Sequence, residues 1–491
     1  MSIVSETHHP KRVARSGAIY TLTLVIQKIL SFTYFSFIAS ALGPASLGRY
    51  TFALSFAAFF SLAVDFGFVP MAIRSFSRSA EDHQENFRVM LTLRLALAGI
   101  GAGLMFLSAF WLGYDKDLLS LLAVTALIMV MDAFTAFFYT VFRSRQNLFY
   151  ESLGTIIFQI IVVGVGLATL QYTRNLQALL WVIAVGSCWH AAYSLWLIIF
   201  KARWPIRPQW DFQAAKRILS AAVPFFLAAG FIKAYNTIDT ILLKNMASDT
   251  AVGLYAIPAK VVFTFPFLAM GITAAVYPAM SNYAASSRER LQNVFSRTLQ
   301  LLFTISLPIA VGIFLLAEPI IERIWPEFRE AIPALRLLIW AVVFLFIEYP
   351  FGSLLNATGN ERRNTWNRGV QLASFIVFNV LLIPIYGFMG ATYTALGTSV
   401  LIVFLGALSA RRLVAVFNKA TVIVLIKLGL ASGVMAAFVW WVRAEYSFLI
   451  VIPAAALVYF IALLALRVYG GNDWAWLKGL VSRRISSEFV E

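Results

Sequence analysis

Four cations, Lys28, Arg94, Lys233 and Lys260, each fall inside a long apolar run of the 491-residue sequence. An ammonium at the centre of a hydrocarbon layer costs roughly 2.5–3.5 kcal/mol on insertion scales, so a cation kept there points to a bound anion, a paired acid or a watery cleft. At about 1.5 Å of rise per residue, Lys28 lies roughly 18 Å, Lys233 roughly 22 Å and Arg94 roughly 10 Å from the face on which the chain starts; Lys260 lies roughly 14 Å from the other face. Polar neighbours recur at helical spacing, Thr21 and Ser31 around Lys28 and Asn236 and Thr240 after Lys233, which turns both lysines toward an interior or a cavity. Inside a membrane, the anions that also carry an apolar tail are lipid phosphates and pyrophosphates.

Four acids accompany these cations. Asp65 is level with Arg94 on the adjacent span and reads either as its structural partner or as part of the same site. Asp132 shares a helix face with Thr135 and Tyr139; like Asp239 and Glu348, it can carry a coupling ion or satisfy a neighbour. Lys427 reads as snorkelling to the interface, and Arg49 as a rim residue beside an outer turn. Other chemistry is poorly served. Cys188 and His190 stand alone among apolar neighbours, so no metal site is expected, and no G-x-x-x-x-G-K-[ST] loop is present. No loop is large enough for a catalytic domain, so neither a catalytic residue nor a cofactor is expected.

The elements that hold these residues follow from composition. Hydrophobic residues make up 60% and charged residues 13% of the sequence, against roughly 45–50% and 25% in soluble domains. The implied fold class is an all-α polytopic membrane protein with about fourteen transmembrane helices, running from residues 16–41 to residues 446–466. The first run is too long for the apolar core of a signal peptide. Counting each Lys and Arg with the loop it lies in or flanks, the loops on the N-terminal side hold 26, the opposite loops eight, and the spans five. The positive-inside rule places both termini in the cytoplasm. The net charge of +16 is therefore topological rather than a nucleic-acid patch.

An offset of 205 residues places Lys28 on Lys233, Gly48 on Gly253 and Tyr50 on Tyr255. Six spans precede the longest inner connection, so the repeat reads as two parallel six-helix lobes with pseudo-two-fold symmetry around a central cavity. The expected organisation is a cytoplasmic N-terminus (1–15), a first lobe (16–200), an inter-lobe linker (201–217), a second lobe (218–410), two additional helices (421–466) and a cytoplasmic tail (467–491) with an interfacial helix near 472–484. Prolines inside spans cluster in the second lobe, at Pro224, Pro258, Pro266, Pro308 and Pro350, which predicts kinks there.

The segments LGPASLGRYTFALSF after the first span, FGF-x-P at 66–70, VGLYAIPAK at 252–260 and PIYGFMGATYTAL at 384–396 resemble the polysaccharide flippases of the multidrug/oligosaccharidyl-lipid/polysaccharide exporter superfamily. The resemblance implies two six-helix lobes plus two helices. It implies a substrate of undecaprenyl-pyrophosphate-linked oligosaccharide repeat units, moved by alternating access from the cytoplasmic to the outer leaflet of a bacterial inner membrane for O-antigen, capsule or exopolysaccharide synthesis. It also makes a polysaccharide polymerase a candidate partner. Lys28, Arg94, Lys233 and Lys260 fit the diphosphate role, and a proton or sodium counter-ion has Asp132, Asp239 or Glu348 to use. Two alternatives remain open. An ion-coupled drug or cation antiporter of the same superfamily would line its cavity with acids, and an integral-membrane glycosyltransferase or polymerase would need a catalytic acid near the first outer loop, where residues 42–47 have none.

Overall fold

The computed structural model describes residues 10–77, 83–416 and 418–469, which are helical with short 3-10 and π turns and contain no strand. The interfacial helix expected near 472–484 lies outside the described residues. Two compact units result, Met1–Gly253 and Leu254–Glu491.

The first unit holds α1 (Pro10–Asp65), α2 (Phe68–Phe76), α3 (His83–Trp111), α4 (Lys116–Arg143), α5 (Phe149–Tyr172), α6 (Leu176–Trp196), α7 (Phe212–Tyr235), α8 (Ile238–Met246) and the first turn of α9 (Asp249–Val262). The second unit holds the rest of α9, then α10 (Pro266–Ser286), α11 (Arg288–Ile324), α12 (Ile332–Leu338), α13 (Ala341–Ala357), α14 (Glu361–Tyr386), α15 (Phe388–Ala410), α16 (Lys419–Val442) and α17 (Phe448–Ala465).

Among the described residues, twelve helical stretches are long and apolar enough to cross a membrane, thirteen with the bent helix Phe212–Leu227 and Ala229–Tyr235. The first, Ile19–Asp65, has 47 residues, roughly 70 Å of helix and so enough for two crossings of a layer about 30 Å thick. It breaks at Gly43, whose φ of 72° only glycine adopts freely, and Pro44 follows with no N–H to continue the ladder. Counted as two crossings, it restores the fourteen apolar runs of the sequence. The protein is an all-α polytopic membrane protein.

Four expected single spans are broken helices: the run at 47–71 divides into α1 and α2 at Phe66 and Gly67, and three others divide as follows. The run at 218–243 divides into α7 and α8 at Asn236 and Thr237, and the run at 332–355 divides into α12 and α13 at Ile339 and Trp340. The run at 251–277 divides into α9 and α10; Pro266 starts α10 instead of kinking a helix, because the first helical position needs no N–H. Pro224 acts as expected, lying inside α7 just before its 41° bend.

Aromatic packing organises the first unit. Phe87 of α3 stacks on Phe137 of α4 at 5.0 Å, and Trp204 meets Phe87 edge-on at 5.2 Å and Phe76 at 5.1 Å. Trp204 belongs to the extended stretch between α6 and α7, so this stretch is packed onto α2 and α3. Arg88 Nε and Thr92 Oγ1 fasten it further, donating to the carbonyls of Arg207 at 3.0 Å and Gln209 at 2.9 Å.

In the second unit, α10, α11 and α13 share a core around Met280, Phe295 and Phe351. Amide side chains of α14 reach α15: Asn367 donates to Ser409 Oγ at 3.1 Å and Gln371 to the Thr398 carbonyl at 3.4 Å. The pair α16 and α17 packs on α11 through Leu316, Leu428, Met435 and Tyr459.

Candidate functional site

The first unit gathers four of the eight charged residues singled out in the sequence. Arg94, on α3, is fully buried and donates through Nη1 to Asp65 Oδ1 at 3.0 Å and through Nη2 to the Ala133 carbonyl at 2.5 Å. Its guanidinium also lies 5.5 Å from the Phe137 ring centroid, so three sides of the cation are occupied. Asp65 ends α1, where Phe66 and Gly67 take positive φ values of 44° and 74° before α2 begins. A Cβ on Gly67 would fall 2.6 Å from the Phe226 backbone nitrogen and 2.7 Å from the Ala222 carbonyl oxygen, so this glycine lets the Asp65 turn press against α7. Phe66 stacks on Phe226 at 4.7 Å in the same place.

The Asp65 side chain is 30% exposed although its partner is closed off. It therefore faces an open side, and Lys233 answers it. Lys233 is half-buried; its strongest electrostatic partners are Asp65 and then Asp132, an exposed carboxylate on α4. No carboxylate lies within 4.0 Å of the Lys233 ammonium among the described residues. The cation is thus balanced at a distance and keeps its three donors for another acceptor.

Lys233 also sits in the last turn of α7, where the carbonyl ends of the helix carry partial negative charge. The Asn236 N–H donates to the carbonyls of Ile232 and Lys233, at 3.1 and 3.2 Å, and Thr237 Oγ1 donates to the Lys233 carbonyl at 2.8 Å. Non-helical backbone at membrane depth persists only inside protein or beside water, and at this break Thr237, Asp239 and Thr240 are buried in protein. The stripe read from Lys233, Asn236 and Thr240 therefore spans a helix break, not one continuous face. The signal for it was present: Asn236 suits a helix end, and Asp239 suits the first turn of the next helix.

The other candidates lie elsewhere. Lys28 is exposed on α1, with no carboxylate within 4.0 Å among the described residues. Asp239 is buried in the first turn of α8, where its Oδ1 accepts from the Thr240 N–H at 2.7 Å. Lys260 is half-buried in the second unit. Glu348, also in the second unit, is paired with Arg368 Nη2 at 2.6 Å. His190 bonds to the Tyr139 hydroxyl at 2.9 Å and stacks on Phe158, which gives it a packing role. Lys427 donates to the Arg467 carbonyl at 3.1 Å.

The family model for polysaccharide biosynthesis proteins matches residues 13–284, more than half of the chain. The chain belongs to this family. The match covers Lys28, Arg94, Lys233 and Lys260 together. A second model, MatE, matches residues 224–385, so this polysaccharide biosynthesis family member carries both signatures of the superfamily that its motifs resemble. A Shigella flexneri protein whose name assigns it to O-antigen transport is 21% identical over 391 residues, 74% of this chain and 90% of its own. The capsular polysaccharide biosynthesis protein CapF of Staphylococcus aureus is 20% identical over 354 residues, 72% of this chain and 87% of its own. Among solved structures, the lipid II flippase MurJ in an inward closed conformation has a TM-score of 0.76 at 16% identity, covering 92% of this chain and 99% of its own. An inward-facing multidrug resistance MATE transporter has a TM-score of 0.61 at 15% identity, covering 80% and 97%. At such identities the likeness is one of fold.

Proposed function

We propose that this family member is a flippase, not an enzyme, and that it moves undecaprenyl-pyrophosphate-linked oligosaccharide repeat units from the cytoplasmic to the outer leaflet of a bacterial inner membrane. The observation that carries the reading is Lys233, an ammonium with free donors at a helix break, held near Asp65 and Asp132 without touching either. A diphosphate and its sugars cannot cross hydrocarbon unaided, because a desolvated charge costs far more than any single contact returns. A cation of this kind offers the diphosphate a resting point while the prenyl tail stays in lipid. Lys28 supplies a further cation within the first unit, and Arg94 fixes Asp65.

The names of the relatives support the substrate class: one is assigned to O-antigen transport and one to capsular polysaccharide synthesis. The placing of Lys and Arg supports cytoplasmic termini. Alternating access supplies the transport cycle, with a proton or sodium ion as counter-ion at Asp132 and a polysaccharide polymerase as the partner that consumes the product.

One observation favours a second reading. Asp132 is exposed and Asp65 partly so, and acids facing an open path suit an ion-coupled drug or cation antiporter, the class named by the MATE structure. A single experiment separates the two. The full chain is reconstituted in vesicles with a labelled undecaprenyl-pyrophosphate sugar, and leaflet exposure is followed for the native chain, Lys28→Ala and Lys233→Ala. Flipping by the native chain that falls in the lysine variants supports the proposal; absence of flipping, or equal flipping in all three, overturns it.

A further inference from the structure

Beside the first half of α7 the first unit holds an open cavity of about 510 Å³, within the roughly 300–1,000 Å³ of small-molecule sites. Phe212, Ala215, Leu219 and Val223 form one wall at helical spacing, and Phe66, which stacks on Phe226, lies at the deep end. From Phe212 to Val223 the wall runs roughly 17 Å along α7, close to the ~15 Å that one leaflet contributes to a hydrocarbon layer about 30 Å thick. The slot has the length of a lipid chain lying in one leaflet.

The rest of the lining is Trp210, Lys216 and Ser220. Lys216 and Ser220 are four residues apart, so they stand one above the other on the same exposed face. Neither side chain has a hydrogen-bond or ion-pair partner among the described residues. Ser220 differs in this from Thr92 and Thr273, whose hydroxyls donate to the carbonyl four residues back at 3.0 and 2.6 Å. Trp210 is held on both sides: the Gln209 carbonyl accepts from Thr92 Oγ1 at 2.9 Å, and Asp211 Oδ1 accepts the N–H groups of Gln213 and Ala214 at 2.8 and 3.0 Å. Its ring is nevertheless 62% exposed, as suits an amphipathic side chain at a membrane surface. Residues 201–217 carry Lys201, Arg203, Arg207, Lys216 and Arg217 against Asp211 alone. That one acid is occupied in capping α7.

The geometry points to a seat for an anionic phospholipid, with one acyl chain between α7 and Phe66 and the phosphate received by Lys216 and Ser220. Apolar walls at leaflet depth select a chain over a soluble anion, and the surplus of cations around the mouth selects a negative headgroup over a zwitterionic one. The seat is separate from Lys233, which lies seventeen residues and roughly 25 Å further along α7. It stands without the proposed transport function. A chain lodged there rests on Phe66, the residue after Asp65, and so braces the turn that holds this carboxylate.

The test uses the full chain in detergent micelles, with Cys188→Ser removing the sole cysteine and a fluorophore on Gln213→Cys, an exposed position in the first turn of α7. The probes are phosphatidylglycerol and phosphatidylcholine, each brominated on its acyl chains to quench the fluorophore. Half-quenching should need about fivefold less phosphatidylglycerol than phosphatidylcholine, the preference one lysine gives near an anionic surface. Lys216→Gln should erase the difference while phosphatidylcholine still quenches, which shows that the variant is folded; Lys216→Arg should keep it. Val223→Trp, which fills the cavity from its exposed edge, should weaken both lipids alike. Arg174→Gln, in the loop between α5 and α6, should change nothing. Equal quenching by the two lipids in the native chain, a preference that survives Lys216→Gln, or unchanged quenching in Val223→Trp overturns the seat. So does displacement of the probe by inorganic phosphate, which would make this a free-anion site, or by undecaprenyl phosphate at a lower mole fraction, which would give it to the carrier lipid.

Discussion

Arg94 and Asp65 form a one-sided pair: the guanidinium is closed to solvent, and the carboxylate it holds at 3.0 Å is 30% exposed. Burial and partners thus assign Arg94 the task of aiming Asp65 from behind, and with Ala133 and Phe137 it ties α3 to α1 and α4.

Removing both members of such a pair should cost less than the two single losses added together. Arg94→Ala leaves Asp65 and the Ala133 carbonyl without their donor and should destabilise the protein by about 3–5 kcal/mol. Arg94→Ala with Asp65→Ala should cost clearly less than the two single changes added together. Thermal unfolding of all three variants in detergent gives the coupling. Strict additivity would mean that the pair contributes nothing and that Arg94 serves some other end.

Lys233 should behave as a ligand instead. Its ammonium has no carboxylate within 4.0 Å among the described residues, so Lys233→Gln removes donors without stranding a buried partner. We expect unfolding within a few degrees of native and flipping slowed about tenfold or more, the loss of one charge-assisted hydrogen bond. Lys233→Arg, which keeps the charge, should retain most of the rate. A large fall in melting temperature with flipping per folded molecule unchanged would make Lys233 structural.

Fourteen apolar runs, the charge asymmetry of the loops and the 205-residue offset were all legible, because membrane thickness and positive-inside bias act on composition alone. The level placing of Asp65 and Arg94 was legible too, since equal depth on adjacent spans needs only counting. The helix breaks were not. Hydropathy does not register that α7 stops at Tyr235 or that α9 and α10 are separate, because the residues across each break stay apolar enough to pass for one span. Nor does spacing say that Gly48 and Gly253 each meet the other's half of the repeat. Identical residues at matching positions signal that something is shared, and only the fold shows that it is a reciprocal contact.

Gly166 and Tyr34 give a prediction about packing. A Cβ on Gly166 would fall 2.3 Å from the Tyr34 hydroxyl oxygen and 2.4 Å from Cε2, so the tyrosine ring lies flat on this glycine where α5 crosses α1. Gly166→Val should therefore destabilise by about 1–3 kcal/mol through overpacking. The Tyr34 hydroxyl is buried with no hydrogen-bond partner among the described residues, so Tyr34→Phe should be neutral or stabilising, contrary to the usual cost of losing a hydroxyl. Melting temperatures of the two single variants check both signs. A destabilising Tyr34→Phe would show that the hydroxyl has a partner after all.

Glu348 and Asp132 were both candidate coupling acids, and their surroundings separate them. Glu348 is buried and held by Arg368 at 2.6 Å, so exchanging an ion there would break a direct ion pair. Asp132 is exposed, faces Lys233 at a distance and can exchange a proton or sodium ion without breaking a direct pair. Vesicles carrying an imposed proton or sodium gradient should therefore distinguish the two. Glu348→Gln should lower stability by about 3 kcal/mol while flipping by the folded fraction still responds to the gradient. Asp132→Asn should fold normally and flip at a rate that no longer depends on it. If the gradient response survives Asp132→Asn and vanishes in Glu348→Gln, the coupling acid lies in the second unit, and the pairing with Arg368 must open during the cycle.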